Sequence, residues 1–173
     1  MAKLIFITGG VRSGKSKYAV NLAKNLSQDV VFLATALSFD DLEMKRRIQS
    51  HQNNRPSHWK TIEEGMNIAP LLSQLNSPQR VIIIDCLTLL ISNLLLNNVK
   101  EEDIIKQIEK IADFAGKFNQ TTIVVSNEVG WGIVPETPLG RKFRDLSGIA
   151  NQVMAKKAQE VWLTVCGIPV RIK

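Results

Sequence analysis

This sequence holds little of what a disulfide framework, a zinc centre or a membrane span would need. Of 173 residues only two are cysteine, Cys86 and Cys166, and each lies in or beside an apolar run. They read as small buried hydrophobes in a reducing compartment, not as a bridge. No basic residue adjoins Cys86 in sequence to lower its pKa, so a reactive thiol is not expected there. Histidine is as scarce: His51 and His58 are the only two, and no cysteine stands near them, which is a poor zinc pattern. There is no repeat, low-complexity tract or long Gly/Ser linker. The N-terminal stretch "MAKLIFITGG" is too short for a signal peptide. The longest apolar run, "CLTLLISNLLL", is broken by Thr88, Ser92 and Asn93 and is too short to span a bilayer. A cytoplasmic protein without membrane insertion is expected.

The net charge is +6 and the pI about 9.5. The basic residues are scattered, and the densest run, "KRR" at 45–47, has acidic neighbours. A nucleic-acid-binding face would cluster them, so no nucleic-acid partner is expected, only a bias toward phosphate-bearing ligands. Hydrophobic residues make up 45% and charged residues 22%, which is ordinary globular composition. The length suits one domain over 1–173.

Several segments are apolar and rich in β-branched residues: "KLIFIT" (3–8), "DVVFLATA" (29–36), "RVIIIDC" (80–86) and "TTIVVSNE" (121–128). Runs without alternation are the mark of strands buried on both faces. "WKTIEE" (59–64) reads as a shorter strand or extended segment. Helical spacing places helices over 15–26, 40–51, about 65–76, 87–97, 101–118 and 139–158. "VGWGIVPETP" is an irregular Gly/Pro loop of a length that is often functional. "EVWLTVCGIPVRIK" reads as a β-hairpin turning near Gly167-Ile168-Pro169. Strands alternating with helices imply an α/β fold with a mostly parallel central sheet flanked by helices.

"GGVRSGKS" (9–16) matches the phosphate-binding P-loop pattern, between an expected strand and an expected helix. Gly9, Gly10 and Gly14 let the backbone fold tightly. The N–H groups of Val11, Arg12, Ser13 and their neighbours then face a phosphate at the helix start. Lys15 would neutralise β/γ-phosphate charge and Ser16 would coordinate Mg²⁺. Asp85 ends an apolar strand. P-loop proteins place an acid at the end of a neighbouring strand to hold Mg²⁺, usually through water; alone, Asp85 has a helix N-cap as its lesser alternative.

The two histidines share the segment "SHQNNRPSHW" (50–59). Spacing favours structural roles for both. A neutral imidazole can also attack phosphorus, which leaves a catalytic reading open. The segments "ITGGVRSGKSKYA", "FLATA", "DDLEMKRRIQSHQNNRPSHWKTIEE", "IIIDCLTLLISNLL" and "VSNEVGWGIVPETPLGRKFRDLSGIANQ", in that order, carry a resemblance over essentially the whole chain. The sequence resembles the bifunctional adenosylcobinamide kinase/adenosylcobinamide-phosphate guanylyltransferase family of cobalamin biosynthesis.

That resemblance implies a RecA-like P-loop NTPase fold and a homotrimer. It implies phosphorylation of adenosylcobinamide with ATP or GTP. It also implies transfer of GMP from GTP to adenosylcobinamide phosphate through a GMP-histidine intermediate. The motif puts that histidine on His51. It puts nucleotide contacts on residues 9–16, on Ala34, Thr35 and Ala36, on Gln52, Asn53, Asn54 and Arg55, and on Glu63 and Asp85. Where some relatives carry a second histidine just before the nucleophile, this chain has Ser50. Read from the residues alone, Arg55 is either a phosphate clamp or a solvated turn arginine. Glu63 is either a guanine acceptor or a helix-start acid. Glu128 is either a contact on the corrinoid side or part of a structural loop, and His58 is expected to pack at the turn before Trp59. The sequence identifies no base for the kinase step. A simple P-loop kinase without a covalent intermediate fits the same motifs apart from His51.

Overall fold

Among the described residues seven strands join in one sheet: β1 (Lys3–Gly9), β2 (Val30–Ala34), β3 (Lys60–Glu63), β4 (Val81–Asp85), β5 (Thr121–Val125), β6 (Glu160–Val165) and β7 (Ile168–Arg171). The computed structural model describes residues 3–36 and 55–173. The strand order is β3-β2-β4-β5-β1-β6-β7. The first six strands in that order run parallel, and β7 is antiparallel to β6. Five described helices connect them: α1 (Lys15–Leu26), α2 (Ile68–Gln74), α3 (Leu87–Leu96), α4 (Glu101–Lys117) and α5 (Pro138–Lys157). The helix expected over 40–51 lies outside the described residues.

The continuous apolar runs have a direct cause: both sheet faces are covered. Leu4, Phe6, Leu33, Ile82, Ile84 and Val124 pack with α2, α3, α4 and α5 on one face. Ile5, Ile7, Phe32, Ile83 and Ile123 pack with α1 and Trp59 on the other. Successive side chains point to opposite faces, so a doubly covered strand needs an apolar residue at every position. The fully buried Ile83 and Ile84 each remove about 1.5–3 kcal/mol worth of apolar surface from water. α4 shows the complementary helical pattern. Ile104, Ile108, Ile111, Ala112 and Ala115 make its buried stripe, Glu101, Glu102 and Asp103 its first turn, and Lys117 its end. Those charges complement the helix dipole.

Boundaries shift where local chemistry intervenes. α2 begins only at Ile68, because Glu64 Oε1 accepts from the backbone N–H of Met66 (2.7 Å) and Asn67 (2.9 Å) and holds Gly65 and Met66 in a bend. α5 starts at Pro138 with Thr137 as its cap, Oγ1 accepting from Gly140 N at 3.1 Å. The hairpin turns at Cys166-Gly167, one residue earlier than expected. Val165 pairs with Ile168, and Cys166 and Gly167 both take positive φ, 52° and 81°. Pro169 belongs to the outermost strand, β7, where the missing N–H is tolerated. This turn also corrects the reading of Cys166, which is exposed at its tip, while Cys86 is buried.

Candidate active site

In a parallel sheet every strand delivers its C-terminal end to one edge, and of the predicted groups Ala34, Glu63, Asp85 and the phosphate loop lie there. One rung of the ladder crosses the sheet through Glu63, Ala34, Asp85, Val125 and Ile7. β1 runs two residues past that rung, to Gly9, where the phosphate loop begins. Asp85 is not on the strand beside β1, as the sequence reading assumed: β5 lies between them.

The loop from Gly9 to Ser16 is shaped by its own backbone and by the C-terminal hairpin. Ser13 N donates to Gly10 O (3.2 Å), and Tyr18 N donates to Gly14 O (2.9 Å) to open α1. Gly9 and Gly14 take φ of 151° and 97°, and Arg12 turns with φ 56°. A Cβ on Gly9 would lie 2.5 Å from Thr164 O. Thr164 Oγ1 sits 2.7 Å from Ser13 Oγ, and Gly167 N donates to Ser13 O at 2.9 Å. The end of β6 is thus the floor of the phosphate loop. Val11 projects outward, and Gly10 and Ser16 are partly exposed.

Lys15 is buried, and its ammonium donates to Gly10 O at 2.6 Å. Burial pulls its pKa below the ordinary value, while Cys86, Asp85 and Glu128 oppose that shift. Asp85 and Glu128 thus offset part of the cost of burying the ammonium. Cys86 itself is fully buried, with its pKa pushed up to about 11, chiefly by desolvation. It stays a neutral thiol, as the sequence suggested.

A buried polar frame supports these groups. Thr35 Oγ1 donates to Cys86 O (2.8 Å) and accepts from Cys86 N (2.7 Å), and Thr35 N donates to Asp85 O (3.1 Å). Asn93 Nδ2 donates to Thr35 O (2.8 Å) and Gly65 O (3.1 Å). The Thr35 hydroxyl is therefore engaged in the protein, between Ala34 and the partly exposed Ala36. On the other side of Asp85, Asn127 Nδ2 donates to Thr88 Oγ1 at 2.8 Å. Glu128 N donates to Gly9 O (3.0 Å), and Glu128 Oε1 accepts from Thr8 Oγ1 (2.6 Å) and Asn151 Nδ2 (3.1 Å). Asn151 Oδ1 accepts in turn from Ser126 Oγ at 2.6 Å. Sequence reasoning missed Thr8, Asn93, Ser126 and Asn151. Their partners lie tens of residues away, so no local pattern marks them.

Arg55 lies over Phe32, with Cζ 3.4 Å from the ring centroid. Burial lowers its pKa from the ordinary value, opposed by Asp85 and Glu63. Its Nη1 is buried and has no hydrogen-bond partner among the described residues. Glu63 is exposed at the end of β3. His58 is exposed in the turn before the buried Trp59, beside a cavity of about 250 Å³ also lined by Lys24, Gln28 and Pro56. His51, Gln52, Asn53 and Asn54 lie outside the described residues.

Past Glu128 comes a one-turn 3-10 helix, Val129–Trp131, and then an irregular segment. It leaves Trp131 67% and Ile133 94% exposed. Among the described residues no cluster of three or more His, Cys, Asp or Glu could hold a metal ion. No described helix is long and apolar enough to cross a membrane.

Comparison with solved structures places this fold among P-loop ATPases. A "prototypical ATPase from the type III secretion system of pathogenic bacteria" superposes with a TM-score of 0.57 at 12% identity, covering 99% of this chain and 57% of that one. The "assembled ATPase EscN" from enteropathogenic E. coli gives 0.60 at 13% identity, covering 95% of this chain and 43% of that one. Sequence relatives are much nearer. The "Bifunctional adenosylcobalamin biosynthesis protein CobU" of Escherichia coli (strain K12) is 38% identical over 98% of this chain and 99% of its own length. The protein of the same name from Salmonella typhimurium is 39% identical with the same coverage. CobP of Pseudomonas aeruginosa is 38% identical over 96% of this chain and 95% of its own. The family model described as cobinamide kinase / cobinamide phosphate guanyltransferase matches residues 5–172. With the P-loop, Asp85 and Glu128 gathered at one sheet edge and the match running almost end to end, the chain belongs to the cobinamide kinase/cobinamide phosphate guanyltransferase family.

Proposed function

We propose that this protein carries out both reactions of its family at the edge formed by the P-loop, Asp85 and Arg55. It phosphorylates the hydroxyl of adenosylcobinamide with ATP or GTP, then transfers GMP from GTP to the phosphate so made, releasing pyrophosphate. The observation that carries this reading is the gathering of a buried cation, Lys15, with the acids Asp85 and Glu128 around one glycine-built loop. Loop N–H groups and the α1 N-terminus would bind the phosphate chain, and Lys15 would hold charge on the leaving oxygen. Arg55, with an orphaned buried donor, would find its partner in a nucleotide oxygen. Glu63, Ala34, Thr35 and Ala36 would line the nucleoside side of the same edge.

Magnesium fits the donors on hand. Ser16 and Asp85 offer hard oxygens, and this ion ordinarily binds through one or two carboxylates and substrate phosphates while keeping several waters. Bound there, it would neutralise β- and γ-phosphate charge. His51 would attack the α-phosphorus of GTP and carry GMP before the acceptor phosphate displaces it. The exposed segment holding Trp131 and Ile133 would face the bulky corrinoid. Family membership further supports a cytoplasmic homotrimer as the working assembly.

Incubation with GTP labelled at the α-phosphate tests the covalent step. Acid-labile, base-stable label on the wild type and none on His51→Ala is expected. Label surviving in His51→Ala refutes the assignment. Lys15→Ala should lose both activities, whereas His51→Ala should lose GMP transfer alone.

A further inference from the structure

The two reactions differ in one proton. A hydroxyl acceptor must lose its proton as the new O–P bond forms; a phosphate acceptor is already ionised near neutrality. The kinase step therefore gains from a base that the guanylyl transfer does not need. Among the described residues four acids stand along the site edge, and one of them, Glu64, is already taken up by the backbone N–H groups of Met66 and Asn67. Glu63 is on the outermost parallel strand, four places from β1 in the sheet. Asp85 is the group suited to magnesium. Glu128 remains, tied to the phosphate loop by its own N–H on Gly9 O at 3.0 Å.

Its carboxylate is oriented unequally. Oε1 takes both contacts, from Thr8 Oγ1 at 2.6 Å and Asn151 Nδ2 at 3.1 Å. No described hydrogen bond reaches Oε2, and the residue is partly exposed. Asn151 is itself buried and fixed by Ser126. A carboxylate held by one oxygen, with the other open, is arranged to receive a proton. It is near enough to buried Lys15 to act on its charge, and the exposed Trp131–Ile133 segment follows it closely in the chain.

We propose that Glu128 is the general base of the kinase reaction, taking the acceptor hydroxyl proton on Oε2 while Thr8 and Asn151 hold Oε1. The hydroxyl oxygen bonds the γ-phosphorus. The bond from that phosphorus to the β,γ-bridging oxygen breaks, and its electron pair leaves with the nucleoside diphosphate. The proton passes from Glu128 to solvent. This inference rests on the reading of the site as a kinase as well as a guanylyltransferase.

The test measures both activities of Glu128→Gln and Glu128→Asp, with adenosylcobinamide and ATP for one and adenosylcobinamide phosphate and GTP for the other. Gln keeps the shape and an oxygen for Thr8 and Asn151 but loses basicity; Asp keeps basicity but is shorter. In Gln the ratio of kinase to guanylyl transfer should fall by about 10²-fold or more, carried by kcat and not by nucleotide KM. Asp should outrank Gln in kinase kcat. A Gln variant at least as active as Asp, one losing both activities together, or one that does not fold makes Glu128 a brace and overturns the proposal. Wild-type protein that phosphorylates no acceptor overturns the kinase reading as well, so the two failures are distinct.

Discussion

Replacing Gly9 by alanine probes how the phosphate loop is seated. The new Cβ would lie 2.5 Å from Thr164 O, 2.7 Å from Thr164 Oγ1 and 2.8 Å from Ser13 Oγ, all well inside ordinary contact at 3.4–4 Å. The first of these is backbone in the middle of a paired sheet and cannot rotate away. Gly9 also has φ 151°, which side chains rarely adopt. Such backbone strain costs about 1–3 kcal/mol, and forcing a methyl into a packed site costs about 1–3 kcal/mol more. A chain of this size loses about 2–4 °C of Tm per kcal/mol, so Gly9→Ala should melt roughly 5–20 °C below wild type. Gly10→Ala is the control: its Cβ would meet nothing within 4 Å. It should stay within about 0.5 kcal/mol. Thermal melts followed by circular dichroism compare them under one buffer. Equal melting of the two variants would refute the claim that β6 forms the floor of the loop.

Two further outcomes follow from the termini of the sheet. Glu160 accepts from Lys3 and from Trp162 Nε1 (3.1 Å), with Arg171 at 3.9 Å, and the Lys3 hydrogen bond is the largest cause holding its pKa below the ordinary 4.5. Because the folded value is the lower one, the unfolded chain binds more protons between the two. The stabilisation is present above 4.5 and is lost as pH falls through the folded value. Acid melts of Glu160→Gln should be flatter across that window than those of wild type, and parallel curves would contradict it. Thiol titration with a disulfide reagent should find Cys166 reacting at once in the native protein and Cys86 only after denaturation. Two fast thiols would mean that the β4–α3 junction opens readily.

Much of this architecture is legible in the sequence because parallel strands write it plainly. "KLIFIT" and "RVIIID" are apolar along their lengths since neither face meets water. The P-loop is equally plain, because glycine, lysine and serine are each required at fixed places. The boundaries and the frame are not. Glu64 shortening α2 is a two-residue event that periodicity cannot see. Cys166 sits in an apolar run yet faces solvent, because a tight turn there needs two positive-φ residues. The contact of Thr8 with Glu128 joins residues 120 apart. No spacing rule would pair them, so the sequence leaves Glu128 open between a ligand contact and part of the scaffold.

The hydroxyls of Ser13 and Thr164 meet across 151 residues of chain. The donors of the most easily recognised segment are therefore held in place from the far end of the chain: the floor under the loop exists only where β6 lies beside β1. Closing so long a loop carries an entropic cost, so a substitution that weakens the β1–β6 pairing should loosen the phosphate loop with it.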